Sequence, residues 1–309
     1  MSVDAKDMTI LADPDRCAGV TTAAEEKSIR IVLDSKPLLG EDVSHEAYRK
    51  IAGILQEQQH FYLDAYKEIS IKRRLASRIR AAGFRDPEAY IALLQDDAAE
   101  RQQLLLALSI HVSQFFRNPS SFAVLEKVVI PELLGVARKT RTKLRLWSVG
   151  CANGEEPYSL ALLCRKLIRA EDQVAIIGTD ISAAALKKAR QGFFPEKRLT
   201  GVNPELLACC FERQGNDEYR LNEELRNSVQ FFRHDILVDQ PFYRADLILC
   251  RNLLIYFSRD QQRFILETLA GALQPGGVLM LGRAETLAPD CRNLFHCLDP
   301  AERIYRRAG

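Results

Sequence analysis

The chain has 309 residues, 47% hydrophobic and 27% charged, with a formal net charge of +2 at pH 7. That length suits one large or two smaller domains, the near-balanced charge makes no global case for nucleic acid, and no apolar run approaches the roughly 18 residues of a membrane span. No signal-peptide pattern opens the chain, so a soluble, cytoplasmic protein that is not membrane-inserted is expected. Its eight cysteines form no CxxC pair, which favours buried reduced thiols at Cys151, Cys164 and Cys250 over disulfides or a metal site.

Residues 1–43 are small and charged with weak periodicity and read as a flexible extension, apart from a brief strand over Ser28–Leu33. Residues 44–137 read as a small all-α domain: Ser44 caps a first helix, Gly83 and Pro87 break the pattern, and Asp96–Val112 resumes it. Lys72, Arg73, Arg74, Arg78 and Arg80 make a basic stripe there, and the four-residue spacing of Arg74 and Arg78 predicts a shared face. In Phe115-Phe116-Arg117 the aromatics anchor a helix end and leave the guanidinium to grip a carboxylate. Arg138–Lys143 (RKTRTK) is the expected linker to a second domain over 138–309.

Leu144–Val149 reads as a core strand, followed by Gly150 and Gly154, which allow a sharp turn and a close ligand approach. Glu155-Glu156-Pro157 opens a helix. This is the strand–Gly loop–helix entry of a Rossmann-like unit. Two glutamates would repel a pyrophosphate, whereas a nucleoside with a cationic centre, such as S-adenosylmethionine (SAM), prefers them. The apolar run Val174–Gly178 ends at Thr179-Asp180, where an acid accepts hydrogen bonds from ribose hydroxyls. Ser182 caps the next helix, to about Gln191. Residues 193–228 interrupt the alternation, and Gly215-Asn216-Asp217 predicts a hairpin within an inserted β-subdomain. Val229–Arg233 leads to His234-Asp235-Ile236, placed to read an adenine edge. Ala245–Cys250 leads to Arg251 and Asn252, and Pro275-Gly276-Gly277 precedes Val278–Leu281. Alternating strands and helices predict a parallel, doubly wound α/β sheet with ligands beyond the strand ends, where Asp180, Asp235 and Asn252 fall.

GEEPYSLAL at 154–162, TDIS at 179–182, CRNLLIYF at 250–257 and QFFRN at 114–118 resemble the CheR-type methyltransferases, over about residues 45 to 307. The resemblance implies a SAM-dependent enzyme, releasing S-adenosylhomocysteine, that methylates glutamate side chains of bacterial chemoreceptors. It implies catalytic roles for Arg117 and Tyr256. It implies cofactor contacts from His111, Ser113, Arg117, Glu156, Asp180, Asp235, Ile236, Arg251 and Asn252. Arg74, Arg78 and Arg80 on the basic helix would meet the acidic cytoplasmic methylation region of a receptor coiled coil. The family often has asparagine at the position of Asp235, and asparagine and threonine where this chain has His111 and Ser113. The short loop between Phe211 and Leu221 favours independence from a C-terminal pentapeptide tether, which some members bind by strand addition.

The implied chemistry needs little machinery. A glutamate side chain is ionised at neutral pH, with a reference pKa near 4.3, so it needs no general base, only alignment. Two alternatives stand beside this reading: a non-catalytic SAM-binding signalling module, and a methyltransferase for another acceptor. Asn252-Leu253-Leu254-Ile255-Tyr256 lacks the prolines of amino methyltransferases acting on bases, and the absence of G-x-G-x-x-G disfavours a dinucleotide oxidoreductase.

Overall fold

The computed structural model describes residues 38–59, 61, 63–108, 113–242 and 244–309; the strand expected over Ser28–Leu33 and the candidate His111 lie outside the described residues. Four helices come first: α1 (His45–Gln59), α2 (Glu68–Ala81), α3 (Pro87–Asp96) and α4 (Ala98–Leu108). Their starts follow side-chain chemistry. The Ser44 hydroxyl accepts the Ala47 N–H at 3.0 Å, and the Asp86 carboxylate accepts the N–H groups of Glu88 and Ala89 ahead of Pro87. Gly83, at φ +86°, lies just past the end of α2. The helices pack in pairs, α1 on α3 and α2 on α4, with Ile71, Leu75, Ala76 and Ile79 forming the buried face of α2.

A continuous helical stretch follows, through α5 (Pro119–Val124), a π turn and α6 (Ile130–Thr140). Because α6 runs on through Arg138–Thr140, the connection to the sheet is shorter than the expected 138–143. Arg141, in the left-handed region at φ 52°, ends the helix.

The remaining chain builds β1 (Leu144–Val149), α7 (Glu155–Leu167), β2 (Val174–Asp180), α8 (Ala183–Gln191), β3 (Phe193–Pro195), α9 (Pro204–Cys210), β4 (Phe211–Gln214), β5 (Glu218–Leu221), α10 (Glu223–Asn227), β6 (Val229–Arg233), β7 (Ala245–Cys250), α11 (Arg259–Ala272), β8 (Leu273–Leu281), β9 (Phe295–Asp299) and β10 (Ile304–Arg307). Seven strands form one sheet in the order β6-β2-β1-β7-β8-β10-β9. The first five are parallel, but β10 runs antiparallel to both β8 and β9. The expected parallel, doubly wound α/β sheet is present, and β10 gives it an antiparallel edge. After β8 the chain passes through a short 3-10 helix, Pro289–Leu294, to β9, and the tight β9–β10 turn then lays β10 antiparallel between β9 and β8. A separate three-stranded antiparallel sheet, β3-β5-β4, is inserted between α8 and β6. Its β4–β5 hairpin turns at the expected residues.

Alternation on β1 explains the layering. Leu144 and Leu146 join one core cluster with Leu133, Tyr158 and Leu162. Trp147 and Val149 join another with Ile248, Ile265 and Leu269 on the opposite face. Chain order reverses between β1 and β7, so the crevice beyond their C-terminal ends is the ligand position this topology favours. Among the described residues Cys151, Cys164 and Cys250 are buried and free, Cys209 and Cys297 exposed and free. No helix among them is long and apolar enough to cross a membrane.

Candidate functional site

The loop after β1 is shaped by backbone that few side chains tolerate: Gly150, Ala152 and Gly154 have φ of +68°, +50° and +94°. A Cβ on Gly150 would stand 3.2 Å from a Leu253 methyl. Asp180, at the tip of β2 and 9% exposed, anchors this loop. Its carboxylate accepts the Ala152 N–H at 2.9 Å and the Ser182 N–H at 2.8 Å.

Opposite this loop stands the turn carrying Arg117. Phe115 is buried edge-on against Phe194 and Phe211, and the Phe116 N–H donates to the Ser159 hydroxyl at 2.9 Å. Phe116 and Asn118 both have positive φ, 50° and 60°. The aromatics therefore pin a tight turn ahead of α5, where a helix end was expected. The Arg198 guanidinium donates to the Ser113 carbonyl, and the Arg198 carbonyl accepts the Phe115 N–H at 3.0 Å.

Arg251 joins the two sides. Its side chain is 2% exposed. It donates to Glu156 at 3.2 Å, to the Arg117 carbonyl at 2.6 Å and to the Asn118 side-chain oxygen at 2.9 Å, and it lies 5.3 Å from the Phe122 ring centroid. Glu156 is held from its other oxygen by the Ser148 hydroxyl at 2.8 Å. One cavity is thereby lined by Ser113, Arg117, Glu156, Arg251, Asn252 and Tyr256, all of them sequence-predicted. Asp180 does not line it but reaches it through Ala152. Asp235 and Ile236 lie outside it. The Asp235 carboxylate accepts the Leu237 N–H at 3.0 Å, and Ile236 packs in the core beside Trp147 and Val149.

Tyr256 ends a single 3-10 turn, Leu254–Tyr256, and its carbonyl accepts the Lys67 N–H at 2.8 Å. The Arg74 guanidinium lies 4.8 Å from its ring centroid. Burial pushes the phenol above its ordinary range, while Arg74 and Arg117 pull it back. The ring also lines a second groove, with Ser70, Arg73, Arg74, Ser77 and Arg80 of α2.

Arg78 departs from the expected stripe. It forms a two-pronged ion pair with Glu100, with its Nε 2.8 Å from Oε1. The Tyr90 hydroxyl donates to the same carboxylate at 2.6 Å, and Glu100 is 8% exposed. Arg74 and Arg78 share a face, but it is turned to α4: the Arg74 guanidinium donates to the Leu108 carbonyl as well as lying over Tyr256, and Arg78 fills the seam between α2 and α4.

Some residues at or beside the site have no role assigned by the sequence. Gln114, the first residue of the QFFRN motif, also lines the cavity. Ser148 is a buried polar residue between Trp147 and Val149 at the C-terminal end of β1, a signal that was available. Glu155 is 1% exposed, its Oε2 has no hydrogen-bond partner, and burial pushes its carboxyl up to about 7.

The donor set fits SAM. An arginine and a glutamate facing one cavity complement the carboxylate and the amino group of its methionine end. The bare Gly150 leaves room for close approach, and of the two acids at the start of α7 Glu156 lines the cavity while Glu155 is buried away from it. Among the described residues no cluster of His, Cys, Asp and Glu could hold a metal ion.

Comparison with known proteins agrees. The family described as "CheR methyltransferase, SAM binding domain" matches residues 111–304, and "CheR methyltransferase, all-alpha domain" matches 46–109. The chain is 36% identical over 225 residues to a chemotaxis protein methyltransferase of Listeria innocua serovar 6a, covering 73% of this chain and 84% of the relative. It is 31% identical over 257 residues to that of Escherichia coli K12, covering 80% and 86%. A solved glycopeptide N-methyltransferase, MtfA complexed with sinefungin, is more distant, at 14% identity and a TM-score of 0.30 over 54% of each chain. The matching family models and relatives make this a SAM-dependent methyltransferase, and the chain belongs to the CheR methyltransferase family.

Proposed function

We propose that the protein methylates glutamate side chains in the cytoplasmic methylation region of bacterial chemoreceptors, acting in the cytoplasm. The relatives' role in chemotaxis supports this reading. The observation that carries it is the place of Tyr256, between the acid-and-arginine cavity and the groove lined by Arg73, Arg74 and Arg80. An acidic helical substrate is drawn to such a groove by charge, and Tyr256 stands where the two meet.

Bound SAM would supply the sulfonium methyl, an activated electrophile. The chain's own residues position the reactants. Arg117 grips the methionine carboxylate, and Glu156 offers its remaining acceptor capacity to the amino group. Ser113, Arg251 and Asn252 complete the methionine side. Asp180 holds the ribose hydroxyls, with Asp235 and Ile236 on the adenine side. Tyr256 orients the incoming glutamate. That glutamate is already ionised, so no residue has to remove a proton, and positioning is the whole task.

The labour divides along the chain: residues 44–137 supply the receptor-facing helix α2 and, towards their end, Ser113 and Arg117, residues 138–309 supply the rest of the cofactor site, and the insertion at 193–228 works without a receptor tether. Arg74 and Arg80 face the substrate, while Arg78 supports α2 through Glu100. The test is label transfer from SAM to a soluble receptor fragment. Uptake that disappears when the fragment's methylatable glutamates become alanine supports the assignment; uptake that survives contradicts it.

A further inference from the structure

We propose that Glu285 is the positioning residue for the turn that carries Asn252 and Tyr256 into the site. This rests on the reading of Tyr256 as the group that orients the acceptor glutamate. Glu285 is 3% exposed and does not line the cavity, so it acts through what it holds. One carboxylate oxygen accepts the N–H groups of Asn252 at 2.8 Å and Gly282 at 2.7 Å. The other accepts the Ile255 N–H at 3.3 Å, and the Leu254 N–H adds to the same field.

Burial raises the Glu285 carboxyl above its ordinary range, and these converging donors work against that by favouring the ionised form. A carboxylate offers about four lone-pair sites and no hydrogen, and charge strengthens each bond. The nest is closed tightly: a Cβ on Gly282 would come within 2.6 Å of the Glu285 oxygen. Asn252, held at φ 59°, takes a backbone conformation that persists only when its surroundings enforce it. The carbonyl side of the same turn is held independently. The Gln262 side-chain amide donates to the Leu254 carbonyl at 2.8 Å and the Phe257 carbonyl at 3.0 Å. Glu285 and Gln262 thus grip one turn from its two polar sides, and the ring of Tyr256 projects from it between the two cavities.

The test uses the full chain and Glu285→Gln, which keeps the shape but turns an amide N–H toward backbone donors. Without any ligand, hydrogen exchange over 250–257 should quicken by about tenfold or more while the rest of the sheet stays protected. Turnover should fall by about tenfold to a hundredfold, the scale of a small misplacement, and SAM affinity, to which Asn252 contributes one contact among several, should fall by clearly less than turnover. Glu285→Asp, which retains the charge, should recover part of the loss. In a Tyr256→Phe background, Glu285→Gln should add less than about a threefold further loss, because coupled residues are non-additive.

Wild-type exchange and turnover in Glu285→Gln would overturn the proposal. So would full additivity with Tyr256→Phe, or a parallel collapse of SAM affinity and global protection. If Glu285→Gln does not fold, Gln262→Ala reads the same turn from its carbonyl side, and unchanged turnover there overturns the proposal. Wild-type turnover in Tyr256→Phe alone sinks the Tyr256 reading instead, and the exchange measurement then decides for Glu285.

Discussion

Replacing Arg251 with lysine should disassemble the site from its centre. The guanidinium spans three acceptors on two elements: Glu156 on α7, and the Arg117 carbonyl and Asn118 oxygen on the opposing turn. A lysine ammonium is a point donor and reaches one side or the other, not both. Two hydrogen bonds made by a buried charge are then lost, at about 1.5–3 kcal/mol each. Discounting for relaxation, the net destabilisation is about 3–4 kcal/mol, which for a chain of this size lowers Tm by about 6 °C. The freed turn no longer holds Arg117 across from Glu156, so SAM affinity should drop by about tenfold or more, as for one lost charged contact. Calorimetric unfolding and SAM titration read both effects on the same sample. A variant that melts within about 2 °C of wild type and binds SAM normally would refute the clamp.

Asp180→Asn keeps an acceptor for the loop but loses the charge facing the ribose, so SAM affinity measured by calorimetry should weaken by about tenfold; unchanged affinity would remove Asp180 from that role. Arg73→Ala with Arg80→Ala should lower receptor methylation while leaving SAM affinity and Tm alone. Arg78→Ala should instead destabilise the fold by about 3 kcal/mol, because Glu100 is left buried and unpaired; equal effects of the two changes in both assays would contradict the separation. Glu155 predicts a pH dependence. Its folded carboxyl titrates near 7, above the ordinary value near 4.3, so the folded state binds the extra proton between them. Stability should fall as pH rises from about 4 through about 7 and level off above. Glu155→Gln should flatten that slope in denaturant titrations, and an unaltered slope would show that another group is responsible.

The parts of the site that lie on regular elements were legible in the sequence, because apolar runs ending in Gly or Asp mark strand tips. Leu144–Val149, Asp180 and the Arg251–Tyr256 segment fall where periodicity and punctuation put them. What escaped has physical reasons. Strand β3 is three residues, Phe-Phe-Pro, too short for alternation to register. The antiparallel β9 and β10 follow only a short 3-10 helix, Pro289–Leu294, too brief for helical periodicity to announce them. The partner of Arg78 lies 22 residues away on another helix, so spacing along α2 alone mistook a packed ion pair for a surface stripe. Glu285 holds main-chain N–H groups, which every residue but proline carries, and such a nest leaves no trace in composition or pattern.

The most direct test of the account is the fate of label transferred from methyl-labelled SAM to chemoreceptor-bearing membranes, followed by mild alkali. A glutamate methyl ester is base-labile, so release of volatile labelled methanol is the predicted result. Label that remains on the receptor through alkali would mean a different acceptor atom and would contradict glutamate methylation.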